Sequence, residues 1–175
     1  MPPSLSIQTL PRSLPVMAVL GLDEPVEGDW ARLRGYQYFS AFRRMYLKVG
    51  MNALAALFLA FVSFGAAPPL FIVGWMVLLA AVLLQGMRLD RGLADADRRR
   101  VTKPEIVRHA LWIVALALIW TVPLVAFPLF GHVDRLALWM VMTVIIAGMA
   151  YALAAVPLAP LLFGGIVGIT GAVMV

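Results

Sequence analysis

RLDRGLADADRRRVTKPEIVRH, Arg88 to His109, holds 7 of the chain's 14 Lys and Arg residues and lies between two long blocks made mostly of Leu, Ala, Val, Met and aromatic side chains. Ionised side chains are expensive in hydrocarbon, so this island of charge must be a loop on one side of a membrane. Its sign says which side. Its last part also carries a helix start signal: Thr102 and Glu105 have capping-box spacing, with Pro104 tolerated in the first turn. A helix that begins there starts in water and enters the bilayer near Ala110.

The bulk numbers agree with that reading. The chain has 175 residues, is 63% hydrophobic and 13% charged, and has a mean hydropathy of +0.94, far from a soluble domain. Several windows approach or exceed the roughly 18 apolar residues that span a bilayer core as a helix. The formal charge of +5 does not indicate nucleic acid, because the basic residues flank membrane segments and set orientation there. The absence of cysteine excludes disulfides, thiolate nucleophiles and Cys-based metal sites. The two histidines, His109 and His132, are too isolated to form a zinc cluster.

Working outward, the expected fold is all-α: a polytopic membrane bundle of about five transmembrane helices preceded by a short amphipathic helix. Residues 1–28 read as a mobile N-terminal tail, since Pro2, Pro3, Pro11 and Pro15 interrupt it and no secretory signal is formed. Over 29–48 a helical wheel gathers Tyr38, Phe39, Phe42, Met45, Tyr46 and Val49 on one side. Arg32, Arg43, Arg44 and Lys48 fall largely on the other, the pattern of a helix lying on a membrane surface. The transmembrane bundle covers 49–175, with spans expected at about 49–67, 70–87, 110–130, 136–155 and 156–175. Pro68-Pro69 is expected to end the first span in a tight turn, and Pro123 and Pro128 to kink or end the third.

The topology-setting cations are Arg43, Arg44 and Lys48 before the first span, with Arg88, Arg98, Arg99 and Arg100 in the basic loop. Of the 14 basic residues only Arg135 falls on the other side. The positive-inside rule therefore puts the N-terminus and the basic loop in the cytoplasm. A fifth helix ending near Val175 has no Trp, Tyr, Lys or Arg anchor at its end, and a sixth span is expected to follow.

Chemistry is sparse. No carboxylate, Lys or Arg falls within the expected spans, which speaks against an ion-coupled transporter or an intramembrane hydrolase. The chain presents no catalytic constellation, no cofactor site and no metal site. Asn52, Gln85, Thr121 and Thr143 are the candidate interhelical polar contacts or ligand contacts, with interhelical hydrogen bonding the plainer role. Gly164 and Gly168 form a GxxxG pair suited to helix packing. Asp90, Asp95 and Asp97 read as part of a solvated, self-paired loop, and His109 as an interfacial histidine. His132, in the outer turn, is a candidate sensor of external pH or metal.

The order of features resembles a known class. A basic pre-helix RLRGYQYFSAFRR precedes a span opening VGMNALAALFLA, and the second span contains GWMVLLAAVLL. An Arg-rich loop then closes with TKPEIVRHALW, the third span carries ALALIWTVPL, and the fourth is VIIAGMAYALAAVPLAPLLF. Together these resemble the N-terminal multi-span sensor regions of bacterial signalling proteins that precede GGDEF or EAL (cyclic di-GMP) domains or histidine kinase cores. The resemblance implies a sensory input module that repacks its helices and drives a cytoplasmic output domain beyond this chain. Its partners would be the lipid bilayer and a second copy, through the bundle or through that output domain. No GGDEF, EAL or kinase motif is present here, so no catalytic residue is implied. The alternatives are a small permease or transporter subunit, its pathway shaped by kinks at Pro123 and Pro128, and a structural subunit of a membrane complex.

Overall fold

The computed structural model describes residues 16–20, 30–98, 101–130 and 135–174. Over these the chain is helical: α1 (Val16–Val19), α2 (Trp30–Arg43), α3 (Met45–Val62), α4 (Pro69–Arg91), α5 (Lys103–Ala126), α6 (Arg135–Ala152) and α7 (Leu158–Met174), with 3₁₀ turns at Ala96–Arg98 and Phe127–Phe130. Four helical stretches, beginning at Met45, Pro69, Lys103 and Arg135, are long and apolar enough to cross a membrane. The last apolar helix is shorter. Its 17 residues reach about 25 Å at ~1.5 Å per residue. Most of the tail expected to be mobile lies outside the described residues, as do Arg99, Arg100 and the turn 131–134.

α5 is the central helix. It packs on α4 and α7, while α3 packs on α4 and α6, and α6 on α7. Ile113, Leu116, Ala117 and Trp120 of α5 are fully buried. A helix apolar on every side is what an inner position in a bundle requires. On the outer helices the exposed face carries Leu54, Leu57, Phe58, Phe61, Val77 and Leu84, a surface suited to lipid tails rather than water.

Several boundaries differ from the sequence expectation, each for a local reason. The surface helix and the first span are separate helices, broken at Arg44 (φ −97°, ψ 13°). α3 ends at Val62 rather than 67, and the chain turns through Ser63–Ala67, with Gly65 at φ +87°, a left-handed conformation that glycine adopts without strain. Pro68-Pro69 therefore starts the next helix instead of ending the previous one. Pro69 sits in the first turn of α4, where its missing N–H is no loss. At the other end α4 continues to Arg91, taking in Arg88 and Asp90. The start of α5 matches its signal: the Glu105 carboxylate accepts from the Thr102 N–H at 2.8 Å, and Pro104 occupies the first turn.

The basic stretch is not a free loop. α2 packs on the 3₁₀ turn Ala96–Arg98. Tyr38 and Ala41 of α2 are buried in one cluster with Leu93, Ala96, Val101 and Ile106. Apolar residues interleaved with the charges thus pin the loop under the first amphipathic helix.

Candidate functional site

At the end of the bundle that carries this loop, the start of α3, the end of α4 and the start of α5 come together. The buried stripe of α3 is Met45, Lys48, Asn52, Ala56 and Leu59. That of α4 is Ile72, Trp75, Leu79, Leu83, Gly86 and Asp90. Both follow the three-and-four spacing of one helix face. Lys48 and Asp90 therefore extend the inward faces of their helices by a turn, and the geometry leaves them no route to the surface. The buried face continues across Arg44 without a change of phase, through Tyr38 and Ala41 of α2 and then Met45, Lys48 and Asn52, while Tyr46 and Leu47 are left exposed.

Lys48 Nζ donates to Asp90 Oδ2 at 2.6 Å, and each side chain is 2% exposed. Buried charges persist only when paired, because desolvation costs several kcal/mol per ion. On the other side of the carboxylate, His109 Nε2 lies 3.5 Å from Asp90 Oδ1, too far for a good hydrogen bond. Neither of those two buried atoms has a hydrogen-bond partner. Aromatic rings close the cluster. Trp112 lies 5.6 Å from Lys48 Nζ, within cation–π range, and Tyr38 stands edge-on to the imidazole at 5.2 Å. Burial pushes the Tyr38 phenol up to about 12, with the positive charge of Arg34 opposing. Trp112 also donates its indole N–H to the Val82 carbonyl at 2.8 Å. It rests against Gly86, where any Cβ would collide with the ring.

One turn further in, Asn52 links three helices. Its amide donates to the Lys48 carbonyl at 2.7 Å and to Met149 Sδ of α6 at 3.4 Å, and its oxygen accepts from the Trp120 indole of α5 at 2.7 Å. Arg44 donates to the Tyr151 carbonyl at 2.7 Å and stacks over the Tyr151 ring, tying the α2–α3 break to the end of α6. Toward the opposite end the interior is aromatic. Trp75 meets Trp120 and Phe127 edge-to-face and donates to the Ile119 carbonyl at 3.0 Å.

A cavity of about 170 Å³ opens between the end of α4 and the start of α5. Arg88, Leu93, Glu105 and Arg108 surround it, and His109, buried like Leu93, forms part of its wall. The imidazole thus stands between this cavity and Asp90.

The sequence candidates divide clearly. Asn52 is an interhelical contact. Gln85 is exposed, Thr121 is half-buried and Thr143 exposed, and the two threonines bond back to carbonyls of their own helices, Leu118 and Trp139. Of the glycine pair, Gly164 makes an ordinary contact with Ile146, and a Cβ on Gly168 would meet open space. Gly171 is the close-approach position, under Trp139. The absence of charge from the spans is corrected, since Lys48 and Asp90 lie on the spanning helices themselves. Asp90 is accordingly no part of a solvated loop, and His109 is buried rather than interfacial. What sequence reasoning missed was available as spacing: Lys48 is four residues before Asn52, and Asp90 four after Gly86. His132 lies outside the described residues. Among the described residues no three of His, Asp and Glu gather in a way that could hold a metal ion.

Fold and cluster together define a class: an α-helical bundle with four helices able to span a membrane and an ionic joint buried at one end. Compared with protein-family models, with characterised proteins and with solved structures, the chain matches none.

Proposed function

We propose that this chain is the membrane-embedded sensory input module of a bacterial signal-transduction protein in the inner membrane. Helices α3 to α7 are five spans, the first five of six. The N-terminus, α2 and the basic loop face the cytoplasm, on the strength of the charge distribution. A cue would alter helix packing, and the shift would pass to a cytoplasmic output domain outside these 175 residues, one that turns over cyclic di-GMP or acts as a histidine kinase.

The observation that supports this reading most is the position of the Lys48–Asp90 pair. It joins α3 to α4 beside the start of α5, at the cytoplasmic end, where a rearrangement must leave the membrane to be read. An ionisable group buried in a membrane bundle is a functional site by default, and a paired charge between helices suits a two-state element. A permease subunit finds less support. Between Asn52 and the far end of the bundle, Ser63 is the one buried polar side chain among the described residues, so no polar route crosses the core.

The test replaces the chromosomal copy in the producing bacterium with K48M or D90N and follows both signalling and uptake. The reading expects altered cyclic di-GMP content or altered phosphorylation of a response regulator, with protein abundance matched by immunoblot. Unchanged signalling together with lost uptake of a solute would replace it with the permease reading.

A further inference from the structure

Three buried groups meet beside the cavity: His109, which lines it, lies next to Asp90, and Asp90 holds Lys48. We propose that His109 is a proton-binding site, loaded from the cavity between α4 and α5, whose protonation competes with Lys48 for Asp90 and loosens the joint between α3 and α4. This rests on the sensory reading for its biological meaning, but its geometry stands apart from it.

Asp90 Oδ2 is held by Lys48 at 2.6 Å, while Oδ1 is buried and has no hydrogen-bond partner. A carboxylate oxygen in that state is an unmet acceptor, and leaving it unmet costs stability. The nearest group able to satisfy it is His109 Nε2 at 3.5 Å, itself buried and unpartnered. An imidazolium must carry N–H on both nitrogens. Protonation therefore places a charged donor opposite Oδ1, and a movement of about half an ångström would close a charge-assisted hydrogen bond. Asp90 then has one negative charge to share between two cations. The Lys48 contact, now satisfied by only part of that charge, weakens.

The proton has a route. His109 lines the cavity, so water there delivers the proton to the ring without crossing the apolar core, and on deprotonation it returns to the same water. An ordinary imidazole changes charge between about pH 5 and 8.

The remaining charged and titratable neighbours set the balance. Arg34 and Tyr38 come from α2, with the Tyr38 ring against the imidazole. Lys48 comes from α3. Arg88 and Asp90 come from α4, and Glu105 and Arg108 from α5. Of these, Asp90 presents its Oδ1 to Nε2, at 3.5 Å.

The chain has only two histidines and no cysteine, which makes the test clean. The full chain is produced as H132Q with nitrogen-15 in histidine and reconstituted in lipid nanodiscs. The protonation state of His109 is then read by NMR from about pH 5 to 8. The expected result is a single titration within that range. D90N should lower the ratio of protonated to neutral imidazole about tenfold or more at a given pH, and K48M should raise it, because an opposite charge nearby favours the charged form and a like charge opposes it. K48R, which keeps the charge, should leave the titration near that of the parent. In parallel, spin labels at Y46C and R91C, both exposed positions, should report a wider α3–α4 separation at low pH than at high pH, and H109Q should abolish the difference. A His109 that keeps one protonation state across the range overturns the proposal. So does a titration unchanged in D90N, or a label distance that follows pH equally in H109Q. Failure of the sensory reading looks different: the titration and the distance change survive in nanodiscs, while signalling in cells ignores H109Q.

Discussion

The Trp120 indole of α5 donates to Asn52 of α3 at 2.7 Å, in the fully buried centre of the bundle. Asn52 in turn reaches Met149 of α6. One amide therefore satisfies the indole of the central helix and fixes the angular setting of its two neighbours. Polar contacts of this kind between membrane helices contribute about 0.6–2 kcal/mol. N52L and W120F should each destabilise the bundle by about that amount. Their double-mutant cycle, measured by denaturant unfolding in detergent, should show a coupling of about 0.6 kcal/mol or more. Strict additivity would mean the two side chains do not interact.

Trp112 depends on the absence of a side chain at Gly86. G86V should push the indole off the α4 backbone, lose its bond to the Val82 carbonyl and cost about 1–3 kcal/mol. G171V should do likewise through Trp139. G168A has open space around it and, as a helical Gly→Ala change, should be neutral or stabilising by up to about 1 kcal/mol. Thermal unfolding of the three variants in one detergent separates these outcomes, and equal loss in G168A would restore the GxxxG pair as the packing seam.

The buried Tyr38 phenol, pushed up to about 12, should be the last of the chain's 4 tyrosines to ionise. Its folded value lies above the ordinary 10.0, so the fold favours the neutral phenol. The contribution is complete below pH 10 and is lost as pH rises through about 12. Ultraviolet titration of phenolate absorbance should show a late-ionising component that disappears in Y38F. Its persistence in Y38F would assign it to another tyrosine.

Much of this was legible from residues alone. The apolar blocks and the capped start of α5 follow from hydropathy length and from Thr102, Pro104 and Glu105, although four helices rather than the expected five are long and apolar enough to cross a membrane. Asn52 was singled out because an amide in an apolar span needs a partner. The ionic cluster was hidden by an assumption about boundaries. Charges at 48 and 90 read as the points where helices leave the membrane, whereas α3 begins at Met45 and α4 runs to Arg91. The inward phase of Lys48 follows from the three-and-four spacing that runs through Tyr38, Ala41, Met45, Lys48 and Asn52. His109 gave no local signal, because its burial comes from Tyr38, 71 residues earlier, folding back over it.

The central claim is that Lys48 and Asp90 form one ionic joint whose members are harmful alone. The most direct measurement compares the unfolding free energies of K48M, D90L and the double variant K48M/D90L in the same detergent. Each single change strands a buried charge and should cost about 3–5 kcal/mol, while the double change removes both charges and should recover most of that loss. Losses in the double variant equal to the sum of the single ones would contradict the claim.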